Sequence, residues 1–182
     1  MQSIMITGGL LLIISLVGGG WAIIRWRRLH KDTLRRRLRD ISHDVLVNFF
    51  VPDGNGGEIH IDHLLLTDRG LVLLETNDLS GAVFAGNRLD TWSAVSAIGR
   101  TTFENPISRL QDRTAAISFL APGVPVAAKV LFVNEATFPK GHPASVVTIP
   151  VLLEEYASDA AGAEVRMFNK QWGAIKAAAT FT

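Results

Sequence analysis

The chain has 182 residues and a formal net charge of +1, and 48% of its residues are hydrophobic. That length and that hydrophobic content suffice for one domain with a real core plus an accessory segment, so we predict a single domain. The chain contains no cysteine, which excludes thiol chemistry and is compatible with a reducing compartment.

The first feature in chain order is an apolar run, Ile4 to Ile24, of 21 positions without a charged residue. As a helix it would be about 32 Å long, which matches a bilayer hydrocarbon core of about 30 Å. No basic residue precedes the run and no small-residue cleavage site follows it, as a signal peptide would require. The run is followed instead by Arg25, Trp26, Arg27 and Arg28. Because basic flanks stay in the cytoplasm, we predict a single-pass anchor at residues 1–26 in the inner (cytoplasmic) membrane, with the N-terminus outside and the domain in the cytoplasm.

Residues 27–44 are predicted to form a basic amphipathic helix beside the membrane. Its apolar positions recur at helical spacing among arginines and are Leu34, Leu38 and Ile41. Eight of the 18 basic residues fall between Arg25 and Arg39, whereas the chain after residue 40 carries ten basic and 15 acidic residues. A basic collar in this place attracts anionic head groups, so we expect membrane lipid to be the partner of residues 4–39. The acidic remainder disfavours long-range attraction of a polyanion.

The pattern then changes to short strands separated by turns rich in glycine, asparagine and aspartate. We predict strands at residues 45–51, 58–67, 71–76, 81–85, 89–95, 124–133 and 145–149. Helices are predicted at residues 107–120, 151–156 and 164–179, the first of them capped by Asn105 and started by Pro106. This order favours an α/β fold in which helices flank a mixed β-sheet. We assign residues 45–160 to this domain and residues 161–182 to a C-terminal helix that either packs on the sheet or protrudes.

One predicted hairpin carries residues that could perform chemistry. If residues 68–69 form a two-residue turn, Thr67 opposes Gly70, and the same register places Asp62 opposite Glu75. Two ionised carboxylates in that position destabilise a hairpin unless one is protonated or a cation lies between them. Mg²⁺ prefers such oxygen ligands and can activate water for attack on phosphorus. The alternative is a bulge or a slipped register that turns one carboxylate to solvent.

The order of short motifs resembles the nuclease-related domain (NERD) family over roughly residues 45–156. The matching motifs are Ile61-Asp62-His63-Leu64, Gly70 to Thr76, Leu79-Ser80-Gly81, Trp92, Phe103-Glu104-Asn105-Pro106 and Gln111. That family is assigned to the PD-(D/E)xK superfamily, whose restriction-endonuclease-like fold is a mixed β-sheet flanked by helices. The resemblance implies that Asp62 and Glu75 are metal ligands for Mg²⁺ and that Gln111 lies on a helix near the site.

The chain departs from the superfamily pattern at position 77. The Glu-x-Lys motif would put a lysine there, whose charge orients the attacking water and stabilises the pentavalent phosphorus. Asn77 can form hydrogen bonds but supplies no charge. Loss of such a group costs about two to three orders of magnitude in rate. Lys129 is a candidate substitute cation, or it extends to a sheet edge.

Three functions follow from these patterns. The leading hypothesis is a membrane-anchored, Mg²⁺-dependent nuclease that cleaves phosphodiesters through Asp62, Glu75, Asn77 and Gln111. The alternative is a catalytically degenerate nuclease-fold module that binds nucleic acid or a protein partner at the membrane. A third hypothesis is a structural membrane protein whose collar binds lipid and whose domain recruits a partner.

Overall fold

A computed structural model describes residues 33–157 and 165–181 of the chain. The chain divides into two compact units, Met1–Arg37 and Leu38–Thr182. The predicted anchor at residues 1–26 lies outside the described residues. Within the two described ranges, no helix is long and apolar enough to cross a bilayer.

Part of the predicted juxtamembrane helix is present. Residues 33–40 are helical and are named α1 here, and the chain has entered a strand by Asp44. Leu38 and Ile41 are buried. The Ser42 hydroxyl donates a hydrogen bond of 2.6 Å to the Leu38 carbonyl, where the helix ends. Two of the three predicted apolar positions therefore belong to the core of the second unit.

The strands form two sheets, whereas the sequence predicted one. The strands are β1 (Asp44–Pro52), β2 (Glu58–Thr67), β3 (Gly70–Asn77), β4 (Gly81–Phe84), β5 (Thr91–Ser96), β6 (Gly99–Glu104), β7 (Val126–Phe132), β8 (Ala136–Thr137), β9 (Val146–Thr148) and β10 (Thr180–Phe181). The larger sheet has the order β10-β1-β2-β3-β7-β9, and the smaller has the order β6-β5-β4-β8. Both sheets mix parallel and antiparallel pairs. Strands β6, β8 and β10 were not predicted.

The chain leaves the larger sheet just after β3, for two local reasons. The Asn77 side-chain carbonyl accepts a hydrogen bond of 3.0 Å from the Leu79 amide, which forms a turn. Gly81 then has φ +93°, and a Cβ there would lie 2.3 Å from the Val95 carbonyl oxygen. Only glycine fits that approach, so the chain starts a second sheet at this point.

The described residues contain three further helices: α2 (Pro106–Leu120), α3 (Ile149–Glu155) and α4 (Val165–Ala178). The core between the larger sheet and the helices includes Phe49, Ile61 and Leu64 from the strands and Ile117 of α2, all fully buried. Helix α2 packs against β7. This layer of helix on sheet confirms a mixed α/β fold.

The C-terminal helix packs on the sheet and does not protrude. Trp172 and Ile175 of α4 are buried. The Trp172 indole donates a hydrogen bond of 2.9 Å to Asp44 Oδ2, and Lys176 Nζ lies 3.1 Å from the same oxygen. Burial raises the pKa of the Asp44 carboxyl, but the bonds from Trp172 and Lys176 outweigh it, so that this pKa lies below its ordinary value.

Candidate functional site

The β2–β3 hairpin has the predicted register. Leu64 pairs with Leu73 and Thr67 with Gly70 across a two-residue turn. The ladder of paired residues ends at His63 and Leu74. One further step along both strands leads to Asp62 and Glu75, which the ladder does not pair, so the predicted register is confirmed as far as His63 and Leu74.

Asp62 is held in place by the opposite strand. Its Oδ2 accepts two hydrogen bonds of 2.8 Å from Thr76, one from the backbone amide and one from the hydroxyl. Its Oδ1 lies 3.2 Å from Nδ1 of His60. The side chain is 18% exposed. Three contacts therefore fix the orientation of a carboxylate that solvent still reaches.

His60 is itself oriented by an irregular position in β1. Val47 pairs with His63 and Phe49 with Ile61, so the ladder skips one residue on each strand, Asn48 and Asp62. Asn48 is the one described non-glycine residue with positive φ, at 54°. Its side-chain oxygen lies 2.9 Å from His60 Nε2. The left-handed backbone at Asn48 thus accompanies a side chain that contacts the histidine beside Asp62.

Glu75 lies in the interior, with 5% of its surface exposed. Its Oε1 accepts from Arg109 Nε at 3.1 Å and lies 2.9 Å from Arg109 Nη2. Its Oε2 forms an ion pair with Arg113 Nη1 at 2.7 Å, but the angles of this contact are not those of a hydrogen bond. Burial raises the pKa of Glu75 above its ordinary value, the Asp62 charge adds to that increase, and the two arginines oppose it. A carboxyl whose pKa stays raised beside two cations is typical of a functional site.

Helix α2 delivers both arginines. The Asn105 side chain caps the helix by accepting a hydrogen bond of 3.0 Å from the Ile107 amide, and Pro106 occupies its first turn, as predicted. Asn105 Nδ2 also donates to the Leu89 carbonyl at 2.9 Å, which ties the start of α2 to the smaller sheet. Arg109 and Arg113 are four residues apart and so lie on one side of α2.

The other two predicted site residues differ in position. Asn77 lies at the end of β3, two residues from Glu75, and its side chain makes the turn to Leu79. Gln111 is exposed and lines a different groove, between α2 and β7, so the structure does not bring it to the two carboxylates. Gln111 follows Arg109 by two residues, so its side chain points about 200° around the helix axis from that of Arg109.

Lys129 does not replace the missing lysine. It pairs with Leu74 in the parallel β3–β7 ladder, one position away from Glu75, and side chains alternate between faces. It therefore faces the opposite side of the sheet. There its Nζ lies 2.7 Å from both Glu155 carboxylate oxygens. The idea that it substitutes for the lysine is wrong for this reason.

An open cleft of about 460 Å³, called the β3–β6 cleft here, shares Thr76 and Arg109 with the network around the two carboxylates, neither of which lines it. It is lined by residues 76–79, by Thr101, Phe103 and Glu104 of β6, and by Arg109. The Arg109 side chain is 53% exposed and connects the cleft to buried Glu75.

The geometry fits a divalent metal poorly. Both Glu75 oxygens have a guanidinium nitrogen within about 3 Å, and both Asp62 oxygens have a partner. Across the described part of the chain, no group of three or more His, Cys, Asp or Glu side chains is placed to hold an ion. Mg²⁺ beside Glu75 would meet two positive charges at close range. The carboxylate oxygens of Asp62 and Glu75 thus belong to a network of ion pairs and hydrogen bonds in which each oxygen already has a partner.

The sequence did not predict Asn48, Arg109 or Arg113 as parts of this site. The spacing of Arg109 and Arg113 was the available signal, because residues four apart share a helix side. Which side of α2 faces Glu75 depends on how the helix packs on β7, and no local sequence pattern predicts that packing.

Comparison with known proteins is consistent with this arrangement. The family model described as nuclease-related domain (NERD) matches residues 25–133. That range includes the β2–β3 hairpin, Asn77 and the arginines of α2. No curated protein and no solved structure matches the chain. Because the match covers more than half of its length, the chain belongs to the nuclease-related domain family.

Proposed function

We propose that this domain is a nuclease-fold module that binds a ligand and does not hydrolyse phosphodiesters. The observation that carries the proposal is the double engagement of Glu75 by Arg109 and Arg113. In the resemblance-based hypothesis this carboxylate holds Mg²⁺. Here two guanidinium groups balance the charges of Asp62 and Glu75 without a metal.

Electrostatics supports this assignment. Removing one member of a buried ion pair is strongly unfavourable, at about 3–5 kcal/mol, because it leaves the other charge uncompensated. A metal that displaced Arg113 would incur that cost, since the Arg113 side chain is only 14% exposed. A metal that left Arg113 in place would be repelled by it. Either route weakens Mg²⁺ binding.

The missing lysine supports the same conclusion. Asn77 carries no charge, and its side-chain oxygen is engaged with the Leu79 amide. Arg109 is the cation among the residues that line the β3–β6 cleft, but it is already paired with Glu75. Among the residues that line the cleft, no cation is thus free of an ion pair to stabilise a phosphorane.

The proposal includes a membrane tether. The apolar run of residues 4–24 and its basic flank support an anchor with the domain on the cytoplasmic side. Each basic residue between Arg25 and Arg39 would add about 1 kcal/mol of attraction to an anionic surface. Membership of the wider PD-(D/E)xK superfamily and the restriction-endonuclease-like fold are parts of the same proposal.

A metal-dependent nuclease is the second candidate, and one observation favours it. Glu75 Oε2 is buried and accepts no hydrogen bond from the described residues, although Arg113 is close. Together with the pre-oriented Asp62, such an oxygen could serve as a ligand once Arg113 moved. Metal titration separates the two candidates.

The test measures Mn²⁺ binding by calorimetry and Mg²⁺- or Mn²⁺-dependent cleavage of single- and double-stranded DNA and RNA by the 182-residue chain. We expect neither binding nor cleavage in the wild type. Asp62→Asn should then change nothing, as should the control Asp112→Asn, an exposed carboxylate on α2. Metal-dependent cleavage that Asp62→Asn abolishes and Asp112→Asn preserves would establish the nuclease instead.

A second set of variants tests whether the network is what excludes metal. The double variant Asn77→Lys/Arg113→Gln restores the motif lysine and frees one Glu75 oxygen. Mn²⁺ binding gained in this variant would mark a site that the arginines have closed. Absence of binding there would mean that the fold itself, beyond these residues, lacks a metal geometry.

A further inference from the structure

Strand β6 is an unguarded edge of the smaller sheet. It is the terminal strand in the order β6-β5-β4-β8, and no described residue pairs with its outer side. All six of its residues pair with β5 without a bulge. Exposed edges are usually protected by charged side chains, especially lysine, by proline or by a bulge. Residues 99–104 contain neither lysine nor proline, and their charged residues are Arg100 and Glu104.

The β3–β6 cleft lies against this edge. Thr101 and Phe103 are two residues apart in β6 and share the sheet face that lines the cleft. Phe103 also packs edge-on against Trp92 of β5, with ring centroids 6.1 Å apart. A strand added to β6 would therefore place every second side chain on the same sheet face as Thr101 and Phe103, next to the cleft.

The charge around the cleft is acidic. Asp78 and Glu104 are exposed on its rim. The cation among its lining residues, Arg109, is bound to Glu75 and lies 3.9 Å from Glu104. Leu79 and Phe103 give it half-buried apolar surface. A polyanion would be repelled by this rim, whereas an extended peptide with alternating basic and apolar side chains would complement it.

We propose that β6 binds an extended basic-apolar peptide as an added strand, with the basic side chains of the peptide facing Asp78 and Glu104. Main-chain hydrogen bonds to the outer side of β6 supply affinity, and alternate side chains in the cleft supply specificity. This inference rests on the proposed function, because it names the ligand class of a module that binds without cleaving phosphodiesters.

The probe is a labelled peptide of alternating lysine and valine with the length of β6, titrated against the 182-residue chain by fluorescence anisotropy. Amide hydrogen exchange of residues 99–104 reports whether the edge is covered. The variant Asp78→Lys/Glu104→Lys should weaken binding about tenfold. The matched control is Glu154→Lys, an exposed acid on α3, which should leave binding unchanged. The same peptide N-methylated at every amide should not bind, because it has no N–H group left to donate to a strand edge.

The inference would be supported if the peptide binds, if residues 99–104 are protected from exchange, and if Asp78→Lys/Glu104→Lys weakens binding while Glu154→Lys does not. Four results would overturn it: no binding of the lysine-valine peptide, equal binding of the N-methylated peptide, no effect of the double charge reversal, or protection of β6 by an oligonucleotide or by a second copy of the chain in its place. Failure of the proposed function is a separate result, since metal-dependent cleavage is measured without the peptide.

Discussion

The two ends of the β2–β3 hairpin differ in what holds them. At the turn end, Thr67 is fully buried, its hydroxyl donates to the Gly70 carbonyl at 3.0 Å, and Gly70 approaches the Pro125 backbone closely. The open end gathers Asp62 and Glu75 with the two arginines of α2. The turn end is thus specified by close packing and neutral hydrogen bonds, and the open end by buried charge. Charges that burial disfavours persist mainly where function requires them.

The largest effect is expected at the turn end. Gly70 has φ +119°, and a Cβ there would lie 2.4 Å from the Pro125 carbonyl oxygen. Gly70→Ala should lower the free energy of unfolding by about 4 kcal/mol, because both the backbone conformation and the contact are strained. The control Gly123→Ala has φ +79° with open space around it, so about 1 kcal/mol is expected. Equal losses in urea denaturation would show that packing does not fix this end.

The next effect separates the two arginines. Arg113→Met should cost about 3 kcal/mol, because it leaves buried Glu75 without its least exposed partner. Arg109→Met should cost about 1 kcal/mol or less, since the Arg109 side chain is half exposed. Urea midpoints of the two variants provide the measurement. A larger loss for Arg109 would place the main support of Glu75 on the solvent side.

Thr76 tests how much its hydroxyl contributes to holding Asp62 at the open end of the hairpin. Thr76→Val keeps the backbone hydrogen bond to Asp62 Oδ2 but removes the one from the hydroxyl, so a loss of about 1.5 kcal/mol is expected. Thr102→Val, at an exposed position of β6, is the control and should change stability little. If thermal unfolding does not distinguish the two variants, the Thr76 hydroxyl contributes nothing to holding Asp62.

The smallest expected effect is a pH dependence. Because burial raises the pKa of Glu75 above its ordinary 4.5, its contribution to stability is complete below pH 4.5 and is lost as pH rises through the folded-state pKa. Glu75→Gln removes this titration. The stability of the wild type minus that of the variant should therefore decrease from pH 4.5 upward and then level off. A difference that increases with pH would mean that the arginines outweigh burial.

The hairpin register could be predicted from the sequence because it depends on local rules. A two-residue turn at Asp68 and the alternation of apolar side chains fix every pair up to His63 and Leu74. The cap of α2 at Asn105 was predictable for the same reason. Both features depend on residues within about ten positions of one another.

What could not be predicted depends on contacts between distant segments. Strand β10 has two residues and exists because β1 offers an edge, and β6 is polar enough to be read as a loop. Whether Lys129 could replace the motif lysine was left open because its strand partner, which decides the face of the sheet, was unknown. The arginines were missed because helix rotation against a sheet is set by packing of the whole layer.

The closure of β1 by the C-terminal segment has a consequence for biosynthesis. The hydrogen bond from Trp172 to Asp44 joins residues 128 positions apart, and Phe49 pairs with Phe181. On a ribosome, the outer edge of β1 must wait until α4 and β10 have emerged. Contacts of such long sequence separation slow folding, so the first strand to be translated is the last to be completed, and a chaperone that shields an open edge would act during that interval.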